Sequence, residues 1–378
     1  EFRRVLFRSS TPSQSSDVDM RPPLAMLLHV LSHLRFHNDS NWCFANSTIF
    51  SLLWCMMSMQ CEASSLGSNF AEVIQCLPCH NLQSVALKDL GWFNQLLQNW
   101  GAFHGNHRGR QQDASEFATA VLSWLCAPAI NMTWERRVEE MGCIHAHDRG
   151  DAFMPITLSF PATHVHLPDT LYTLTHLMRL WMQVDGMIAA LTQAPQCICL
   201  HLDRFYDAED TILKSQCLID MEAGCDVPVF IDHSQRREFV SYVLLSATAH
   251  LGNVKGGHYQ AVLKTRPAVQ QNGQPMHWLL TNDSMAAQPI WLVPDWFRRN
   301  STVFWLARAD CVQLHVYRPL PQTDIAAPDE PDLTIAADAD TSTNVPERDI
   351  GMPNTTVDTD ATESTEKPST AIAPETDA

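Results

Sequence analysis

The spacing of apolar residues changes part-way along this chain, and that change limits the folds open to it. Up to about residue 130, apolar residues recur three and four apart, the signature of helices. Phe44, Ile49, Leu52, Leu53, Met56 and Met57 form one such run, predicted to cover one helix face. Phe117, Val121, Leu122 and Leu125 form another. This second helix opens on Asp113 with Glu116 three residues later, a capping-box start with Asp as the N-cap, and Pro128 follows its end. From about residue 150 the texture becomes short alternating runs bounded by turn residues: 153–160, 197–205, 227–230, 239–247, 260–264, 277–281 and 302–307. One helical interlude, about Leu171 to Leu191, interrupts them. Helices first and strands later is an α+β order rather than an alternating βαβ one.

The charge is also uneven. The 378 residues carry a net charge of −17. Residues 321–378 hold 14 acidic and 2 basic side chains, a net of −12, which leaves −5 for the body. That composition predicts a disordered acidic tail, and the Ser-, Pro- and Arg-rich residues 1–22 predict a disordered N-terminal segment. The body, residues 23–320, lacks the clustered basic face of a nucleic-acid binder. No apolar run is long enough for a membrane span. The 12 cysteines follow no disulfide-like pattern, and the opening residues lack the apolar core of a secretory signal. The expectation is an intracellular chain, in cytoplasm or nucleus, with reduced thiols.

One thiol stands apart. Cys43 lies where the polar loop Asn38–Trp42 becomes a helix-periodic run. A thiol there meets unpaired backbone N–H groups and the positive end of the helix dipole, and both favour the nucleophilic thiolate. A base is found far downstream, in Gly256-Gly257-His258-Tyr259. If the strands His258–Lys264 and His277–Thr281 pair as a hairpin with Lys264 opposite His277, then His258 falls opposite Asp283 and beside Asn282. An imidazole with an adjacent amide and carboxylate is the base and orienter that a cysteine nucleophile needs.

Four blocks in this order resemble the ubiquitin-specific proteases, a papain-like family of deubiquitinases. Asn38, Cys43, Asn46 and Ser47 match its cysteine box. Gln111-Gln-Asp-Ala-Ser-Glu-Phe117 is similar to its Gln-Gln-Asp-Ala-x-Glu-Phe helix, and Leu202-Asp-Arg-Phe205 to its Leu-Lys-Arg-Phe strand. His250-x-Gly252, Gly257-His-Tyr259, Trp278 and Asn282-Asp283 resemble its histidine box. The resemblance implies a papain-like fold with a helical thumb (about 23–130) and β-rich fingers and palm (about 131–320). It implies hydrolysis at the C-terminal glycine of ubiquitin, with ubiquitin or ubiquitinated proteins as partners. Cys43 would be the nucleophile, His258 the base, Asn282 the third member of the triad, with Asp283 assisting or substituting for it, and Asn38 the oxyanion donor. Gln112, Asp113, Glu116, Gly257 and Tyr259 would line the channel for ubiquitin's tail, and Gly256 and Gly257 would be small because that channel is narrow.

The departures also carry expectations. Ser40 and Trp42 replace the family's usual Gly and Thr, Phe44 replaces Tyr, and Asp203 replaces the strand Lys. Trp42 is bulky beside the nucleophile, which predicts a narrower site or slower turnover. The competing reading is a catalytically weak or inactive relative that only binds ubiquitin. The fingers stretch lacks the Cys-x-x-Cys pairs that hold zinc in many members. Cys143, His145, His147, His164, His166 and His176 are the nearest substitutes, the pair at 164 and 166 being expected on a strand. The expectation is no metal and no cofactor.

Overall fold

The first long helix, α1 (Cys43–Met57), is buried along its whole length. It is therefore not the one-faced element that its apolar spacing predicts. A buried helix must satisfy its own polar side chains. Ser47 Oγ donates to Cys43 O at 2.8 Å and Thr48 Oγ1 to Phe44 O at 2.8 Å. Ser51 pairs with Thr248, Ser246 Oγ donates to Ser51 O, and Trp54 Nε1 donates to Lys264 O at 2.8 Å. These bonds fix α1 against the strands that carry the candidate base. The computed structural model describes residues 31–312, apart from 32–33, 39–40, 60–62, 77–83, 101–111, 185, 209–210, 255 and 270–274. The segments read above as disordered, 1–22 and 321–378, lie outside the described residues.

Four more helices come before the sheet: α2 (Ala63–Leu66), α3 (Ser68–Gln75), and, packed against the start of α1, α4 (Gly91–Asn99) and α5 (Ala114–Leu125). Aromatic rings fill the space between them. Phe44 meets Phe117 edge-on at 5.4 Å, Phe93 meets Trp42 edge-on at 5.4 Å, and Trp92 lies 5.8 Å from Trp124. Edge-to-face pairs at such separations add about 0.5–1.5 kcal/mol each beyond the area they bury. Asp113 caps α5 as expected: its Oδ1 accepts from Ser115 N at 2.7 Å and Glu116 N at 3.3 Å.

The rest of the core rests on one twelve-stranded sheet. Its strands are β1 (Trp134–Glu140), β2 (Cys143–Gly150), β3 (Ile156–Ser159), β4 (Gln183–Val184), β5 (Met187–Leu191) and β6 (Cys197–Asp203). A hairpin outside it, β7 (Phe205–Ala208) and β8 (Thr211–Lys214), comes next in the chain. The sheet resumes with β9 (Cys225–Phe230), β10 (Arg237–Asn253), β11 (Gly256–Val269), β12 (Pro275–Thr281), β13 (Gln288–Ile290) and β14 (Ser301–Arg308). The main path runs β13-β12-β11-β10-β9-β5-β1-β2. The strand β14 lies between β10 and β6, β3 pairs with β6, and β4 with β5. Two further helices, α6 (Leu174–Met182) and α7 (Asp295–Arg298), complete the mixed α+β, papain-like architecture.

Three expectations change. The helical interlude ends at Met182, because Gly186 at φ +75° turns the chain into the β4–β5 hairpin. Strands begin before residue 150. The charged segments 134–140 and 143–150 pair as a hairpin around Met141 (φ +53°) and Gly142 (φ +76°). Positive φ at both central residues is the type I′ geometry, whose twist matches that of the flanking strands. His164 and His166 lie in a run of turns, not on a strand. Among the described residues there is no group of three or more His, Cys, Asp or Glu side chains placed to hold a metal ion. Nor is there, among them, a helix long and apolar enough to cross a membrane.

Candidate active site

Cys43 is the first residue of α1, delivered by a sharp loop. Asn41 takes a left-handed conformation at φ +61°. Trp42 N then donates to Asn38 Oδ1 at 2.8 Å, and Asn46 N closes the first helical turn onto Trp42 O at 2.9 Å. The Trp42 ring packs on Phe93 and Phe44 within the aromatic cluster, so its bulk serves the helical core.

His258 comes from the start of β11, but by a register one residue away from that expected. Lys264 pairs with Trp278 rather than His277, and the ladder ends at Ala261 opposite Thr281. A bulge between Lys264 and Ala268 takes up extra residues of β11, and one residue of slip moves every later partner. Asn282 and Asp283 therefore reach His258 from the turn after β12, not from the ladder. His258 Nε2 lies 2.6 Å from Asn282 Oδ1 and 3.9 Å from Asp283 Oδ2. The Asn282 amide is oriented for this. Its Nδ2 donates to Met285 Sδ at 3.3 Å, which leaves Oδ1 for the imidazole.

The imidazole is also hydrogen-bonded to Cys43. That bond to Cys43, more than any other effect, raises the His258 pKa to about 9. Partial burial works against the rise; the bond to Asn282 and the charges of Cys43 and Asp283 add to it. At neutral pH the ring is thus an imidazolium beside sulfur.

Asp283 does something different from its neighbour. At φ +44°, a conformation that Asp tolerates better than most residues, its carboxylate turns toward the cysteine loop. Oδ2 accepts from Asn38 Nδ2 and Oδ1 from Asn46 Nδ2, both at 2.8 Å. Asn38 is held at both ends of its amide, with one N–H of Nδ2 left over. Asn46, quoted above only as part of a motif, is the residue whose place here the sequence did not announce; it lies one helical turn after Cys43.

Nearby, Tyr259 Oη donates to Asp113 Oδ2 at 3.4 Å, and the Tyr259 ring stacks on His250 at 4.6 Å. Burial first, then the Asp113 charge, pushes the Tyr259 hydroxyl up, so it stays a donor. Burial first, then Lys214, lowers His250 to about 4, so that ring is neutral. Gly257 has a reason of its own to lack a side chain. A Cβ there would sit 2.3 Å from Leu251 O and 2.5 Å from His250 Nε2. The glycine is demanded by the β10–β11 packing, whatever passes through a channel. Gln112 is half-buried, directly before the capping Asp113, and the Glu116 side chain is exposed.

The family model for ubiquitin carboxyl-terminal hydrolase matches residues 34–289. The chain belongs to that family. The matched stretch opens just before Asn38 and closes just after Asp283, so every residue assembled above falls inside it. The chain's fold is similar to solved structures of the SAGA DUB module of Ubp8, Sgf11, Sus1 and Sgf73. For the module bound to ubiquitin aldehyde the identity is 15%, over 76% of this chain and 71% of that one, with a TM-score of 0.48. For the module bound to monoubiquitin the identity is 16% over the same shares, with a TM-score of 0.48. For the module described without ubiquitin it is 15%, over 76% and 70%, with a TM-score of 0.46. No curated protein matches the chain.

Proposed function

We propose that this ubiquitin carboxyl-terminal hydrolase is an active thiol-dependent deubiquitinase working through Cys43, His258 and Asn282. The observation that carries the reading is the imidazole bonded both to Cys43 and to Asn282. Sulfur, its proton taken up by His258, attacks the carbonyl carbon of ubiquitin's C-terminal glycine, forming the S–C bond and moving the π electrons onto oxygen. The remaining N–H of Asn38 meets that oxyanion. Loss of such a donor costs about 2.7–4 kcal/mol in comparable sites. Collapse breaks the C–N bond, and the leaving lysine amine takes the proton from His258. Neutral His258 then draws a proton from water, which hydrolyses the thioester and restores the sulfur–imidazolium pair.

The two adjacent residues after β12 divide the orienting work. Asn282 holds the base, and Asp283, fixed by Asn46, holds the oxyanion donor. Asp113, Glu116, Gln112, Tyr259 and Gly257 are the proposed contacts of ubiquitin's tail, where the carboxylates suit its arginines. The body 23–320 is the proposed catalytic domain. The test is a fluorogenic amide of ubiquitin: turnover that disappears in Cys43→Ala supports the reading. Tight ubiquitin binding with no turnover by the wild type under reducing conditions leaves a binding-only relative.

A further inference from the structure

The strand that carries the base leans on a neighbour whose own neighbour has run out. The β10–β14 pairing ends at Ala249 opposite Ser301, yet β10 continues to Asn253, paired on its other edge with β11. Past Ala249 the β14 side of β10 is an open edge, and its backbone groups need other partners. Asn300 O accepts the His250 N–H at 2.9 Å. The carbonyls are met by one side chain from outside the sheet. Lys214, the last residue of the β7–β8 hairpin, donates from Nζ to His250 O and, at 3.4 Å, to Gly252 O. Its third bond, at 2.8 Å, goes to Asn300 Oδ1.

The two backbone acceptors bracket Leu251, and Leu251 is the register partner of His258. The ammonium therefore stands where a further strand would stand, at the position that sets the start of β11. All three of its acceptors are neutral, and its pKa falls to about 8 through burial first and then the Arg204 guanidinium. Arg204 is itself held by the carbonyls of Ser301, Cys217 and Arg298, so it stays beside Lys214. A half-buried ammonium bonded to neutral groups and facing a second cation is costly to keep. A methionine could fill the same space, but it could not cap this edge.

We propose that Lys214 is a positioning residue for His258: by capping the open end of β10 it fixes where β11 presents the imidazole to Cys43. This rests on the Cys43–His258 chemistry proposed above, so the test reads that pair without ubiquitin. Iodoacetamide alkylation of Cys43, quantified by peptide mapping from about pH 5 to about pH 10, reports how readily sulfur reacts beside the imidazole. The wild type should alkylate near neutrality at least about tenfold faster than His258→Ala. Lys214→Met should lose about tenfold and move its profile toward that of His258→Ala, since displacing a catalytic group by a fraction of an ångström has effects of this size. Lys214→Arg, which keeps charge and donors, should recover most of the loss. Asn300→Ala removes one acceptor and should show a smaller loss, about threefold, in the same direction. It also serves if Lys214→Met does not fold.

A merely structural lysine would lower the melting temperature and leave the alkylation profile in place. Superimposable profiles for wild type, Lys214→Met and Asn300→Ala overturn the proposal while leaving the active-site reading intact. A wild type whose alkylation is indifferent to His258 overturns the active-site reading and this inference together.

Discussion

Cys43 and His258 meet in one site but are held there by different means. Cys43 is 3% exposed and starts a helix that is buried on every face and bolted to the sheet by Ser51, Trp54 and Ser246. The His258 side chain is 38% exposed and sits beyond the last ladder pair of β11 and β12. Its position depends on a few polar contacts: Asn282 on Nε2, the bond to Cys43, and the proposed cap at the end of β10. Packing fixes the proposed nucleophile, and hydrogen bonds aim the proposed base. Substitutions under α1 should therefore act through stability, and those around His258 through rate and pH dependence.

The largest effects should come from the reacting pair itself. Cys43→Ala should abolish hydrolysis of a ubiquitin C-terminal amide, and His258→Ala should lower kcat/KM by about 10²–10⁴-fold. A His258→Ala enzyme within a factor of two of the wild type would remove His258 from the chemistry. Next, Asn38→Ala should cost about 10²–10³-fold in kcat. Asp283→Ala should cost less, about tenfold, and add nothing in the double variant, because both act on one amide. Full additivity of the two would show that Asp283 works elsewhere, for instance on the imidazole 3.9 Å away.

The pH dependence sharpens the same contrast. His258 is raised to about 9, so the imidazolium is present below that pH and is lost as pH rises through it. The rate should be flat from neutrality and fall above about pH 9. Asn282→Ala removes one of the contributions that raise the value, so its falling limb should move to lower pH. A limb near the ordinary histidine value in the wild type would contradict the Cys43–His258 bond. The smallest effects should be on stability. Gly257→Ala forces a Cβ against Leu251 O, the register partner of His258, so it should lower the rate as well as cost about 1–3 kcal/mol, read as a lower denaturation midpoint. Trp54→Phe strands the Lys264 carbonyl that it now meets and should cost about 1 kcal/mol, with the alkaline limb unmoved. A shifted limb in Trp54→Phe would erase the distinction between the two sides.

How much of this was legible in the sequence follows the same division. Local features read well. The Asp113 cap, the α5 helix and most of the alternating strands depend on neighbours in the chain. The β1–β2 hairpin was hidden because Glu135, Arg136, Arg137, Glu139 and Glu140 give no apolar alternation, and its turn needs a left-handed Met141 that no residue type announces. The burial of α1 was hidden too, since its serines and threonines look like a solvent face until the sheet supplies their partners. A hairpin with Lys264 opposite His277 would bring the right residues together, but in the wrong register. The bulge in β11 cannot be read from residue types, and the bonds to Asn282 and Asp283 come from the turn. The clamp from Asn46 through Asp283 to Asn38 joins residues more than 200 positions apart, so only the fold reveals it.

The most direct test of the central claim is a covalent one. The purified protein, under reducing conditions, is mixed with ubiquitin carrying a C-terminal electrophile and followed by intact mass. The expected result is a one-to-one adduct at Cys43, absent in Cys43→Ala and formed far more slowly in His258→Ala. No adduct with the wild type, or an adduct that persists in Cys43→Ala, would contradict it.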